Sequence, residues 1–113
     1  RGKNPWLFRL AGGAPFVFAG LWERREAPGA GPFESFAIVT TAANGLVQPV
    51  HARMPVLLDK EADALWRRQG PLSAAELERC FAPFDAGAME AWPVSTWVNA
   101  ASHDGPRCIE PAR

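Results

Sequence analysis

The sequence predicts an α+β fold, mainly β, with two short helices confined to its second half. Three observations carry this. Three runs rich in β-branched and aromatic residues precede any helical pattern, so the chain is not an alternating βαβ sequence. The hydrophobic period then changes at Asp59 from strand-like to helix-like. Of the 113 residues, 48% are hydrophobic, enough for the core of one domain and too many for wholesale disorder.

In chain order, Trp6 to Leu10 (WLFRL) reads as a strand, followed by turn material in AGGAP. Phe16 to Trp22 (FVFAGLW) reads as a second strand that forms a hairpin with the first. Glu23 to Pro32 is charged and then rich in Gly and Pro, the composition of an exposed loop. Phe33 to Thr41 is a third strand. Ala42 to Pro49 turns through Asn44-Gly45, and Met54 to Leu58 (MPVLL) is a short apolar strand. Asp59 is placed to cap a helix over 60 to 69, with Ala62, Leu65 and Trp66 on one face, Arg67 and Arg68 at its negative end, and Gly70 as its stop. Ser73 and Glu76 have capping-box spacing for a second helix that buries Leu77, Cys80 and Phe81. The segment FAPFDAGAMEAWP reads mostly as loop, Trp92 to Asn99 as a strand with Pro93 at its edge, ASHDGP as a turn, and RCIE as a short final strand.

The composition excludes several classes. The formal net charge is zero, so no global field argues for nucleic acid or for an acidic partner. A local basic patch remains open, from the pairs Arg24-Arg25 and Arg67-Arg68 and from Arg1, Lys3 and Arg9. Two cysteines, Cys80 and Cys108, form neither a disulfide framework nor a CxxC, and point to a reduced, intracellular compartment. No apolar run approaches membrane-spanning length, and no membrane partner is expected. The opening Arg1-Gly2-Lys3 has neither an initiator Met nor a signal-peptide core, and reads as the start of a processed or excised piece.

Candidate chemistry centres on LVQPVHARMPVLL, Leu46 to Leu58, where His51 and Arg53 interrupt two apolar runs. In extended chain they face the same side, so an imidazole could move a proton beside a guanidinium that holds a phosphate. The plainer alternative is a loop histidine satisfied by backbone, with a solvated Arg53. Thr40 and Thr41 sit at a strand end, where hydroxyls can meet phosphate or simply favour strand geometry. His103 beside Asp104 reads as turn chemistry, Cys80 as a core residue, and most of the five Trp as core. Two His at this spacing make no recognisable metal site, and no nucleotide or nucleophile-elbow motif occurs.

Taken together, FAGLWE, AIVTTAAN, VHARMPVLL and WPVSTWVN…DGPRCIEP resemble, in order and spacing, the SOS response-associated peptidase (SRAP) family over nearly the whole chain. The His-x-Arg-Met-Pro element, preceded by the Ile-Val-Thr-Thr strand, is its most specific part. The resemblance implies a sensor of abasic sites in single-stranded DNA. In that family a cysteine at the mature N-terminus condenses, through its amine and thiol, with the ring-opened sugar aldehyde, first as a Schiff base and then as a thiazolidine crosslink. The peptidase name reflects autoproteolytic removal of the initiator Met. By position, His51 corresponds to the catalytic histidine, Arg53 to a residue gripping the DNA backbone, and Thr40 to the strand that approaches the lesion. No cofactor and no metal is implied, and a nucleoid-associated, cytoplasmic location is.

The sequence also departs from the family. No cysteine precedes Cys80, and the upstream Asn and the Glu of the aromatic-rich element are not among these residues. Ala100 follows Val98-Asn99 where the family often has a second Asn. Residues 1–113 therefore resemble the C-terminal portion of a single SRAP domain, an incomplete unit whose partner is the N-terminal half carrying the nucleophile. Two other readings stay open: an intracellular protein hydrolase using His51 as base, and a non-enzymatic β module with a Trp-rich binding face.

Overall fold

The computed structural model describes residues 4–112, and the opening Arg1-Gly2-Lys3 lies outside them. It is mainly β with two helices. The strands are β1 (Trp6–Leu10), β2 (Val17–Phe18), β3 (Gly20–Ala27), β4 (Gly31–Ile38), β5 (Thr40–Ala42), β6 (Arg53–Pro55), β7 (Leu57–Leu58) and β8 (Met89–Pro93). Helices α1 (Lys60–Arg67) and α2 (Ala74–Phe81) lie between β7 and β8.

All pairings are antiparallel: β1 with β8, β2 with β7, β3 with β4, and β5 with β6. The expected hairpin between the first two strands does not form. β1 instead pairs along its length with β8, from Trp6 opposite Pro93 to Leu10 opposite Met89, and that strand arises in a segment read as loop. Alternating residues in Met89-Glu90-Ala91-Trp92 are adequate strand formers, but their partner lies some eighty positions away and leaves no local trace.

Six of the strands belong to three longer runs, broken at Ala19, Val39 and Val56. These three residues form a closed ring of backbone hydrogen bonds: Ala19 N–H donates to Val56 O, Val56 N–H to Val39 O, and Val39 N–H to Ala19 O, each at 2.9 Å. At this junction every run leaves one partner and takes another. Ala19 and Val56 are fully buried, so their polar groups have no water to turn to, and the ring satisfies one donor and one acceptor of each.

The junction also shifts the phase of β6–β7 and so creates two small cores. Val56 and Leu58 pack with Ala19, Ala62 and Cys80 against Trp66 and Phe81. Met54 and Leu57 pack on the other side with Val47, against Phe8, Phe16 and Met89.

The segment Glu23 to Pro32 is a correction. It is not a loop but most of a hairpin, with β3 and β4 paired from Gly20–Ile38 out to Ala27–Gly31. Its tip is Pro28-Gly29, with Gly29 at φ 78° and Ala30 N–H bonded to Ala27 O, the residue pattern of a type II turn. Charged residues on both faces and Pro32 on an open edge hide it from propensity.

The helices follow their caps. Asp59 accepts from Ala62 N–H, and Ser73 with Glu76 closes a capping box. Trp92 to Asn99 is not one strand. β8 stops at Pro93, and Thr96–Asn99 and Pro106–Cys108 are 3-10 turns, so the expected final strand is reduced to a single bridge between Val94 and Pro111. Ser95 caps the first of these turns, accepting from Trp97 N–H, and Pro93 limits the strand before it.

Candidate functional site

Thr40 opens β5 and Arg53 opens β6, and the antiparallel register sets Thr40 opposite Pro55 and Ala42 opposite Arg53. The Arg53 side chain runs back along this ladder. Its Nη2 donates to Thr40 O at 2.9 Å and to Thr40 Oγ1 at 3.1 Å. Arg53 backbone N–H donates to His51 Nδ1 at 3.0 Å, and Arg53 O lies 3.0 Å from the same nitrogen. Thr40, Arg53 and His51 are thus joined in one exposed chain of hydrogen bonds. Thr41 points the other way and donates to Phe81 O at 2.8 Å, which ties β5 to the end of α2.

This geometry suits a proton-transfer group. When neutral, His51 accepts at Nδ1 and must carry its proton on Nε2. When charged, the Nδ1–H can donate to Arg53 O. One residue therefore serves Nδ1 in both protonation states, and Nε2 makes no hydrogen bond among the described residues. The ring is exposed rather than turned into packed side chains.

Arg53 also reaches the rim of an apolar cleft of about 300 Å³, lined by Phe8, Phe16, Phe18, Met54, Leu57 and Met89 among others. His51 is not among its lining residues, so of the pair only Arg53 borders this cleft.

The turn carrying His51 is built by a residue that the sequence reading passes over as turn material. Asn44 Oδ1 accepts from Leu46 N–H at 3.1 Å and from Val47 N–H at 3.0 Å, while its Nδ2 donates to Phe84 O at 2.7 Å. An Asn opening a turn is a legible capping signal, whereas its tie to Phe84 is not.

Other candidates take structural places. The His103 ring stacks on Trp97 with centroids 3.4 Å apart, and Asp104 accepts from Gly105 N–H, so the two adjacent residues form no dyad. Cys80 is buried, and desolvation pushes its thiol pKa up, away from nucleophilic use. The tryptophans are the larger correction: Trp22 is 70% exposed and Trp6 42%. Trp66 and Trp92 do anchor the fold, donating to Gly20 O and Ile109 O. Among the described residues no three His, Cys, Asp or Glu side chains gather as a metal site, and no helix is long and apolar enough to cross a membrane.

A mainly β chain whose strands exchange partners at a buried junction, with an imidazole and a guanidinium displayed at its edge, defines the class. The profile of the SOS response associated peptidase (SRAP) family matches residues 1–101. The chain belongs to that family. It is 35% identical over 108 residues to the abasic site processing protein YoqW of Bacillus subtilis, covering 96% of this chain and 48% of that protein. It is 33% identical over 97 residues to mouse abasic site processing protein HMCES, covering 85% of this chain and 27% of that protein. An X-ray structure of a protein from Bacteroides thetaiotaomicron superposes with a TM-score of 0.85 at 27% identity, over 99% of this chain and 50% of that one. The chain thus spans about half the length of the bacterial relatives it matches.

Proposed function

We propose that residues 1–113 are the C-terminal half of an abasic-site processing domain acting on single-stranded DNA. The observation that carries this reading is the Thr40–Arg53–His51 chain, in which a solvent-facing imidazole is held on the Arg53 backbone and the Arg53 guanidinium is held on Thr40. The names of the relatives supply the substrate class, an abasic site. His51, as the imidazolium, gives its Nε2 proton to the sugar ring oxygen as the bond from C1′ to that oxygen breaks, while the C1′ hydroxyl gives its proton to water and becomes the aldehyde. Arg53 and Thr40 hold the neighbouring phosphates, a contact that positions without reading sequence.

The nucleophile belongs to the partner half. Its N-terminal Cys amine condenses with C1′ and releases water. The thiol then adds across the imine carbon, its proton passing to nitrogen, and the thiazolidine closes with no further leaving group. Removal of the initiator Met, which frees that amine, is likewise a property of the assembled domain.

The test is covalent capture. The 113-residue chain alone, incubated with abasic single-stranded DNA, is expected to give no covalent band. Addition of an N-terminal half that begins with Cys is expected to produce one. A strong band from the 113-residue chain alone overturns the assignment of the nucleophile.

A further inference from the structure

We infer that Asn44 is a positioning residue for His51, fixing which ring nitrogen carries the proton. The inference rests on the proposed role of His51 but makes a separate structural claim.

The connection runs through named bonds. Asn44 O accepts from Gln48 N–H at 2.9 Å, so Asn44 closes the turn with its backbone as well as its side chain. Its Oδ1 takes the Leu46 and Val47 N–H groups, which have no other acceptor among the described residues. Val47 is the pivot. Its side chain is buried with Met54 and Leu57, and its carbonyl accepts from His51 N–H at 3.0 Å and from Val50 N–H at 2.8 Å. Moving Val47 therefore moves the His51 backbone relative to the Arg53 N–H that occupies Nδ1.

The amide of Asn44 fastens the same turn to the rest of the molecule. Nδ2 donates to Phe84 O at 2.7 Å and approaches Met89 Sδ at 3.5 Å. The acceptor holds the turn that leads to His51, and the donor fastens that turn to the rest of the molecule. Asp keeps the first function and loses the second, while Ala loses both.

The experiment uses the 113-residue chain labelled with 15N at histidine. In the wild type, at a pH where the ring is neutral, His51 Nδ1 and Nε2, assigned apart from the His103 pair, are expected as two well-separated resonances, with the proton on Nε2. Asn44→Ala is expected to draw them together as the tautomers mix. Asn44→Asp, which keeps the cap and loses only the bond to Phe84 O, is expected to stay close to wild type, and an unchanged circular dichroism spectrum of Asn44→Ala separates loss of positioning from general unfolding. In the chain assembled with its N-terminal half, Asn44→Ala is expected to slow crosslinking by about 10- to 100-fold with DNA affinity little changed, as a misplaced catalytic group does.

An unmoved 15N signature in Asn44→Ala overturns the inference whatever the crosslinking rate, and so does a wild-type ring whose two resonances are already averaged. A moved signature together with a crosslinking rate indifferent to His51→Ala upholds the positioning role of Asn44 and overturns instead the catalytic role of His51.

Discussion

At the scale of single residues, Arg53 does two jobs with one fork. Nη2 is committed to Thr40, which fixes the direction of the guanidinium, and in the proposed reading the N–H groups that make no bond among the described residues take a phosphate. Arg53→Ala should weaken DNA binding without regard to sequence, and should lower the slope of log K against log salt by about 0.7 for the one phosphate lost from a single strand. Arg53→Lys keeps the charge but not the fork, so it should retain most of the slope and lose affinity. Titration of binding at several salt concentrations separates the two effects. That His51 and Arg53 lie together is legible in the sequence from their spacing, but what joins them is the ring on the Arg53 backbone rather than two side chains sharing a side of extended chain. The use of Nδ1 by the Arg53 backbone is not legible, since it depends on how the chain turns between Val47 and Arg53.

At the scale of elements, the helices are the most legible part, because a cap is a local device. Asp59 and Ser73 can be read without knowing the fold, and both accept the expected N–H groups. Arg68 adds something the sequence hides, a two-pronged ion pair from the end of α1 to Glu76 in the first turn of α2. With the Ser73 N–H, this pair holds the Glu76 carboxyl down to about 2 from its ordinary 4.5. The folded-state value lies below the unfolded one, so the stabilisation is fully present above about pH 4.5 and is lost as pH falls from there towards 2. Glu76→Gln is accordingly expected to flatten the acid limb of a stability–pH curve measured by thermal melting.

The strands are less legible, because the junction at Ala19, Val39 and Val56 is made by three segments far apart in sequence. Val56→Ala removes two buried methyl groups at its centre and should cost about 2–3 kcal/mol, measured by denaturant unfolding. The β3–β4 hairpin shows the limit of composition. Charges and prolines usually mark loops, yet a two-stranded ribbon exposed on both faces carries the same residues.

At the scale of the whole molecule, the chain is extended for its length. Its radius of gyration is 17.2 Å, against roughly 13 Å for a compact domain of similar size. The β3–β4 hairpin is paired on one side only along each strand, and an isolated two-stranded ribbon is at best marginal in water. It presents Leu21, Trp22 and Phe36 at 60, 70 and 78% exposure. Patches of this kind ask for a cover, and the N-terminal half in the proposed reading is that cover. The double variant Trp22→Ser, Phe36→Ser should therefore weaken association of the two halves, read by calorimetry, while leaving the α1–α2 core intact by circular dichroism. Unaltered association would move the docking surface elsewhere. That most Trp residues belong to the core is a natural reading of a single sequence, because in the proposed reading a surface covered by the other half has the composition of an interior.

The central claim is that His51 moves a proton at the damaged sugar, and one rate tests it most directly. Crosslink formation on abasic single-stranded DNA, followed in the two assembled halves, is expected to fall by about 10²- to 10⁴-fold in His51→Ala, with DNA binding preserved. Crosslinking at the wild-type rate in that variant would contradict the account.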